Sequence, residues 1–117
     1  MKKSLSIRVP EKLGLVLGQL ADQRQMSLSA LIEWILGLAL QANIDFSSLP
    51  DTTEQLNHKL DCRLPSEMLA RLRLMCRQLK VSPSVFIRTL MYGGETNRLA
   101  IKQVGSEYML VAKHDQN

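Results

Sequence analysis

Two short stretches, offset by 55 residues, put polar side chains at every second position: Ser4, Ser6 and Arg8 in the first, Lys59, Asp61 and Arg63 in the second. These residue types can do recognition chemistry. Arg8 and Arg63 carry a planar fork suited to bidentate contact with guanine O6 and N7, and Lys59 reaches the same acceptors as a point donor. Ser4 and Ser6 donate or accept without discriminating. Asp61 departs from the set, because phosphates repel a carboxylate. It would accept from a cytosine amino group or be neutralised by a neighbouring basic side chain. The plain alternative for all six is a solvated sheet face.

Catalytic chemistry is poorly supplied. The two histidines, His58 and His114, have no spacing to Cys62 or Cys76 that resembles a zinc site. The glycines are scattered, and Gly93-Gly94 reads as a helix end rather than a phosphate loop. Cys62 is expected to face inward as a small hydrophobe. Asp61 and Glu67 make no convincing acid–base pair. No enzyme activity, cofactor or metal is therefore expected. Two cysteines are also too few for a disulfide scaffold.

The elements that would position the six polar residues repeat. Compared at a shift of 55 positions, 5–38 and 60–93 share Leu5/Leu60, Arg8/Arg63, Pro10/Pro65, Leu17/Leu72, Gln23/Gln78, Ser27/Ser82, Ser29/Ser84 and Ile32/Ile87. Each unit opens with strict polar–apolar alternation, over 4–9 and 59–64, which predicts a strand with one buried face. Pro10 and Pro65 stop the strands and suit the first turn of a helix. Stripes at helical spacing follow: Leu13, Val16, Leu17 and Leu20 in one unit, Met68, Leu72, Met75 and Leu79 in the other. Ser27 and Ser82 are N-caps for second helices, and Pro83 takes the favoured N1 position. The helix over 27–40 is apolar on nearly all sides, with Trp34 and Leu38 away from its main stripe, so something beyond its own hairpin must cover it. Neither unit can bury itself. Paired units would zip their strands into an antiparallel ribbon over four helices. Beyond the repeat, Leu99–Val104 and 107–113 are strand-like, and Gly105-Ser106 fits a type II′ hairpin turn.

Composition agrees. Of 117 residues, 45% are hydrophobic and only 4% aromatic, which suits interlocking aliphatic helices. No apolar run reaches the roughly 18 residues of a membrane span. No apolar stretch of about 7–15 residues follows Met1-Lys2-Lys3, so no secretory signal is expected. The net charge of +4 hides a pattern: 1–40 carries five Lys/Arg against three Asp/Glu, 41–57 carries none against three, and 58–92 carries seven against two. Two basic blocks around an acidic stretch favour an anionic partner for each block.

The pattern resembles the ribbon-helix-helix family of Arc/MetJ-type DNA-binding proteins. Ser4-Leu5-Ser6-Ile7-Arg8-Val9-Pro10 with Ser27-Leu28-Ser29, and Lys59-Leu60-Asp61-Cys62-Arg63-Leu64-Pro65 with Ser82-Pro83-Ser84, carry the resemblance. Gln25 and Lys80 stand where the family usually has an inter-helix glycine. Two units in one chain look most like the TraY-type tandem proteins of conjugative plasmids. The implied fold is mainly α with short β-strands. It comprises a first unit at 1–41, an acidic linker at 42–57, a second unit at 58–94, and a C-terminal extension at 95–117 with a possible hairpin.

The resemblance implies a ribbon inserted into the major groove of double-stranded DNA, with Ser4, Ser6, Arg8, Lys59, Asp61 and Arg63 facing the bases. It sets the second helices beside the DNA backbone, which makes Ser27, Ser29, Ser82 and Ser84 candidates for phosphate contact. Arg71, Arg73, Arg77 and Lys80 form a basic run on or beside the second unit's first helix. The expected role is a bacterial, plasmid or phage transcriptional regulator, most simply a repressor, in the cytoplasm at the nucleoid. A relaxosome accessory protein and an antitoxin-type autorepressor use the same chemistry. A helical interaction module without DNA binding is the alternative of another class. Self-association on DNA and a protein partner through 95–117 are further expectations. Strand pairing within one chain is the preferred arrangement, and it would give an asymmetric ribbon for a non-palindromic half-site. Pairing between chains would instead call for palindromic or repeated sites.

Overall fold

The structure is a computed structural model and describes residues 1–113; His114 lies outside them. The order is β1 (Lys2–Val9), α1 (Glu11–Gln23), α2 (Leu28–Gln41), a 3-10 turn (Phe46–Ser48), β2 (His58–Pro65), α3 (Ser66–Leu79), α4 (Pro83–Glu95), β3 (Leu99–Val104) and β4 (Glu107–Ala112). Four helices thus accompany two small antiparallel sheets, one of β1 with β2 and one of β3 with β4.

The first sheet joins strands distant in sequence. Ser4 lies opposite Arg63, Ser6 opposite Asp61 and Arg8 opposite Lys59. Period-two alternation turns the apolar set to the helices: Ile7, Val9, Leu60, Cys62 and Leu64 are buried and Leu5 is half-buried. Positions related by the 55-residue shift share one core. Leu17 and Leu72, Ala21 and Cys76, Leu31 and Phe86, Ile32 and Ile87, and Leu36 and Met91 are all buried. Each buried Leu, Ile or Met among them contributes about 1.5–3 kcal/mol by leaving water, so interlocked aliphatics supply a core without many aromatics.

Both inter-helix turns close alike. Gln25 has φ 56° and Lys80 φ 60°, left-handed conformations. In the first turn Met26 N–H donates to Ala21 O (2.9 Å) and Gln25 N–H to Asp22 O (3.1 Å). In the second, Val81 N–H donates to Cys76 O (3.0 Å) and Lys80 N–H to Arg77 O (3.2 Å). This paired bonding is the Schellman arrangement, which normally places glycine at the left-handed residue. A side chain there costs about 1–2 kcal/mol, partly offset by the lower unfolded-state entropy of a non-glycine residue. Gln25→Gly and Lys80→Gly, both at exposed positions, should therefore each stabilise the protein by about 0.5–1 kcal/mol. Urea midpoints that stay put or fall in both variants would contradict this.

Several details differ from the sequence reading. The buried stripe of α3 is Leu69, Leu72 and Cys76. Met68, Met75 and Leu79 are only half-buried, one helix position round from the expected seam. Val16 on α1 is 37% exposed, and Ala21 takes the inner place instead. Pro10 and Pro65 are the N-cap residues of α1 and α3, not first-turn residues, and their rings supply no capping group. The caps come from elsewhere: Asn57 Oδ1 accepts from Glu11 N–H (2.9 Å), and Met1 O accepts from Ser66 N–H (3.1 Å). Helix α4 runs through Gly93-Gly94 to Glu95. Gly93 answers to packing, since a Cβ there would stand 2.9 Å from Leu99 Cδ1.

The linker and the C-terminal hairpin cover what the two units leave open. Phe46 is buried edge-on against Phe86, with ring centroids 5.2 Å apart. The β3–β4 hairpin turns at Gly105, φ 63°, with no positive φ at Ser106, as a type II′ turn requires. Its Leu99 and Leu110 are buried in the core. Tyr108 meets Trp34 edge-on at 5.6 Å, while the Arg24 guanidinium lies 4.8 Å over the Trp34 ring. The outlying apolar face of α2 thus finds its cover in the hairpin.

Candidate nucleic-acid interface

On the first sheet, the alternation that turns six apolar side chains to the helices exposes Ser4, Ser6, Arg8, Lys59, Asp61 and Arg63. The register arranges them as three cross-strand pairs, Ser4–Arg63, Ser6–Asp61 and Arg8–Lys59. Three cations and one carboxylate leave this face electropositive. The carboxylate is locally engaged: Asp61 accepts a hydrogen bond from the Ser6 hydroxyl, and Lys59 Nζ stands 3.9 Å from Asp61 Oδ1. Lys2, at the end of the same strand, pairs with Glu33 on α2 at 2.8 Å.

A two-stranded sheet has two open edges, whose unpaired backbone groups need partners. The second helices supply them. Ser29 on α2 accepts from Arg63 N–H (2.8 Å), and Ser84 on α4 donates to Ser6 O (3.5 Å). Ser27 and Ser82 cap the same helices by accepting from Ala30 N–H (3.1 Å) and Val85 N–H (3.2 Å). Ser27 and Ser82 are exposed, whereas Ser29 and Ser84 are half-buried against the strands. The four serines thus bind the helix starts to the sheet and bring those starts up to its edges.

Beside α4 this junction opens into a depression of about 310 Å³, lined by Ser6, Ile7, Arg8, Lys59, Ser84 and Arg88. It joins two strand cations to a helix start, a place that accepts anions. Arg71, Arg73, Arg77 and Lys80 are exposed on or beside α3.

Arg88 was not singled out by sequence reasoning, yet it braces the strand face from behind. It is only 8% exposed. Its Nη2 lies 2.8 Å from Asp51 Oδ2 in the linker, its Nε donates to Asp51 Oδ1 (3.0 Å), and its Nη1 donates to the Arg8 carbonyl (3.2 Å). One guanidinium therefore ties linker, α4 and β1 together directly behind Arg8. Hydrogen bonding from Arg88 holds the Asp51 carboxyl below the usual carboxylate range, against an opposing contribution from burial. The available signal was the one charged residue in the mostly apolar run over 85–91, whose counterpart in the first unit is Glu33.

Cys62 and Cys76 are both buried, and burial raises both thiols above their ordinary range, with the Asp61 charge adding to the rise at Cys62. Among the described residues, no three His, Cys, Asp or Glu side chains gather as metal ligands, and no helix is long and apolar enough to cross a membrane. No family model, no curated protein and no solved structure matches the chain.

Proposed function

We propose that this chain is a sequence-specific double-stranded DNA-binding protein, a tandem ribbon-helix-helix in one polypeptide, acting as a repressor-type transcriptional regulator. One observation carries the reading: β1 and β2 pair within the chain, in a register that sets Ser4, Ser6, Arg8, Lys59, Asp61 and Arg63 side by side on one exposed face. Strands about 4.8 Å apart fit a major groove about 12 Å wide. Arginine forks at opposite ends of the two strands suit guanine edges at separate base pairs. The basic excess supplies sequence-independent attraction, and the helix starts at the sheet edges supply phosphate anchors. Because the two strands differ, the ribbon has no two-fold repeat in its side chains, and its half-site should be non-palindromic.

Selection of bound duplexes from a random pool at physiological salt tests the proposal. The expected result is one enriched, non-palindromic core. Absence of enrichment would remove sequence-specific binding. A strict palindrome centred on one ribbon would remove the asymmetric reading face.

A further inference from the structure

The two faces of the C-terminal hairpin differ. The register pairs Leu99 with Ala112, Ile101 with Leu110 and Gln103 with Tyr108 on one face, and Ala100 with Val111, Lys102 with Met109 and Val104 with Glu107 on the other. The first face meets the body: Leu99 and Leu110 are buried in the core, and Tyr108 packs on Trp34. The second face turns outward. Every residue from Lys102 to Met109 is exposed, Val104 at 52% and Met109 at 48%. A two-stranded hairpin is marginally stable by itself in water, so its uncovered outer half gains from a partner that buries these apolar side chains.

The charges on the outer face identify that partner. Lys102 and Glu107 lie on one diagonal of the face, Val104 and Met109 on the other. Neither charge takes part in an ion pair among the described residues. A two-fold axis laid along the Val104–Met109 diagonal carries each charged corner close to the position of the other. Two copies of the face joined about that axis set Val104 on Val104 and Met109 on Met109. Each Lys102 then meets the Glu107 of the other copy, so the attraction is made twice. The strands of the two hairpins cross steeply, as in orthogonal sheet packing. The face therefore matches itself, whereas a purely acidic or purely basic partner would be repelled at one corner.

We propose that the outer face of the β3–β4 hairpin is a homodimer contact, in which Val104, Met109, Lys102 and Glu107 of two copies meet about a two-fold axis. A patch this small falls well short of the roughly 20–30 residues per partner of a standard interface, so the dimer is weak and depends on concentration. The contact uses none of the residues on the β1–β2 face, so it stands whether or not that face reads DNA.

The test is sedimentation equilibrium of the full chain without DNA, from about 10 µM to about 1 mM, a range that spans weak association. A monomer–dimer equilibrium is expected. Lys102→Glu and Glu107→Lys should each weaken it about tenfold, because two contacts turn from attraction to repulsion together. An equimolar mixture of the two variants should regain the parental association, since each then supplies the charge the other lacks. The chain carrying both substitutions should regain it as well. Circular dichroism verifies that each variant is folded. Methyl NMR of the unaltered chain over the same concentrations should centre the shifts on Val104 and Met109, a readout that needs no variant. A monomer at every concentration, or shifts centred on another surface, would overturn the proposal. So would single variants that dimerise like the parent, as edge-to-edge strand pairing would allow, or a mixture or double variant that stays monomeric.

Discussion

Replacing Arg8 and Arg63 together with alanine should lower affinity for the selected DNA site by roughly 30-fold to 10⁴-fold while leaving the fold intact. A well-formed bidentate contact to guanine discriminates by about 1–3 kcal/mol, and the two positions lie on different cross-strand pairs, so their losses should nearly add. Affinity for unrelated duplexes should fall far less, because only two of the chain's cations are lost. Both side chains are exposed, and the backbone groups of these residues that bond to Ser29 and Arg88 are untouched by the change. Circular dichroism and urea midpoints should therefore stay near those of the unaltered protein. Fluorescence anisotropy against specific and scrambled duplexes provides the measurement. Specific affinity within twofold of the parent, with the fold intact, would remove the ribbon from base recognition.

The second large effect is expected at Asp51. Asp51→Asn leaves the Arg88 guanidinium in a site only 10% open to solvent, without its counter-ion. Removing one partner of a fully buried pair costs about 3–5 kcal/mol. Asp51 keeps 35% of its side chain in water, which lowers the expectation to about 2–3 kcal/mol at pH 7. The sign of the pH dependence follows from the lowered carboxyl in the folded state. The pair's contribution is fully present above the unfolded carboxylate value of about 3.9 and is lost as pH falls through the lower folded value. The difference between parent and Asp51→Asn should therefore be constant near neutrality and shrink towards pH 2. Urea unfolding across pH 2–7 checks this, and a gap independent of pH would show that the carboxylate charge is not what Arg88 requires.

These two sites also show what was legible in the sequence. The strand face was legible because period-two alternation leaves one side of each strand polar, whatever pairs with it. The partner strand was legible because Arg8 and Arg63, Pro10 and Pro65, and the two Ser-x-Ser sequences fall at one offset. The serine caps followed from side-chain chemistry that acts locally. The seam of α3 was missed because Met68, Leu69, Leu72, Met75, Cys76 and Leu79 offer two apolar stripes one position apart. Periodicity cannot choose between such stripes, and contact with the sheet can. The helix end at Gly93-Gly94 was misjudged because glycine marks both helix ends and close approaches, and here Leu99 occupies the space. The Asp51–Arg88 pair was not legible, since it joins elements with no shared local pattern.

The proposed recognition of DNA by the ribbon is tested most directly by titrating isotopically labelled full-length protein with the selected duplex and following backbone and arginine side-chain resonances by NMR. The largest changes should fall on Ser4, Ser6, Arg8, Lys59, Asp61 and Arg63, with new contacts from the Arg8 and Arg63 guanidinium groups to base protons in the major groove. Smaller shifts should appear at Ser27, Ser29, Ser82 and Ser84. Changes centred on the β3–β4 hairpin or the outer faces of α1 and α3, with the β1–β2 resonances unmoved, would contradict recognition through the ribbon.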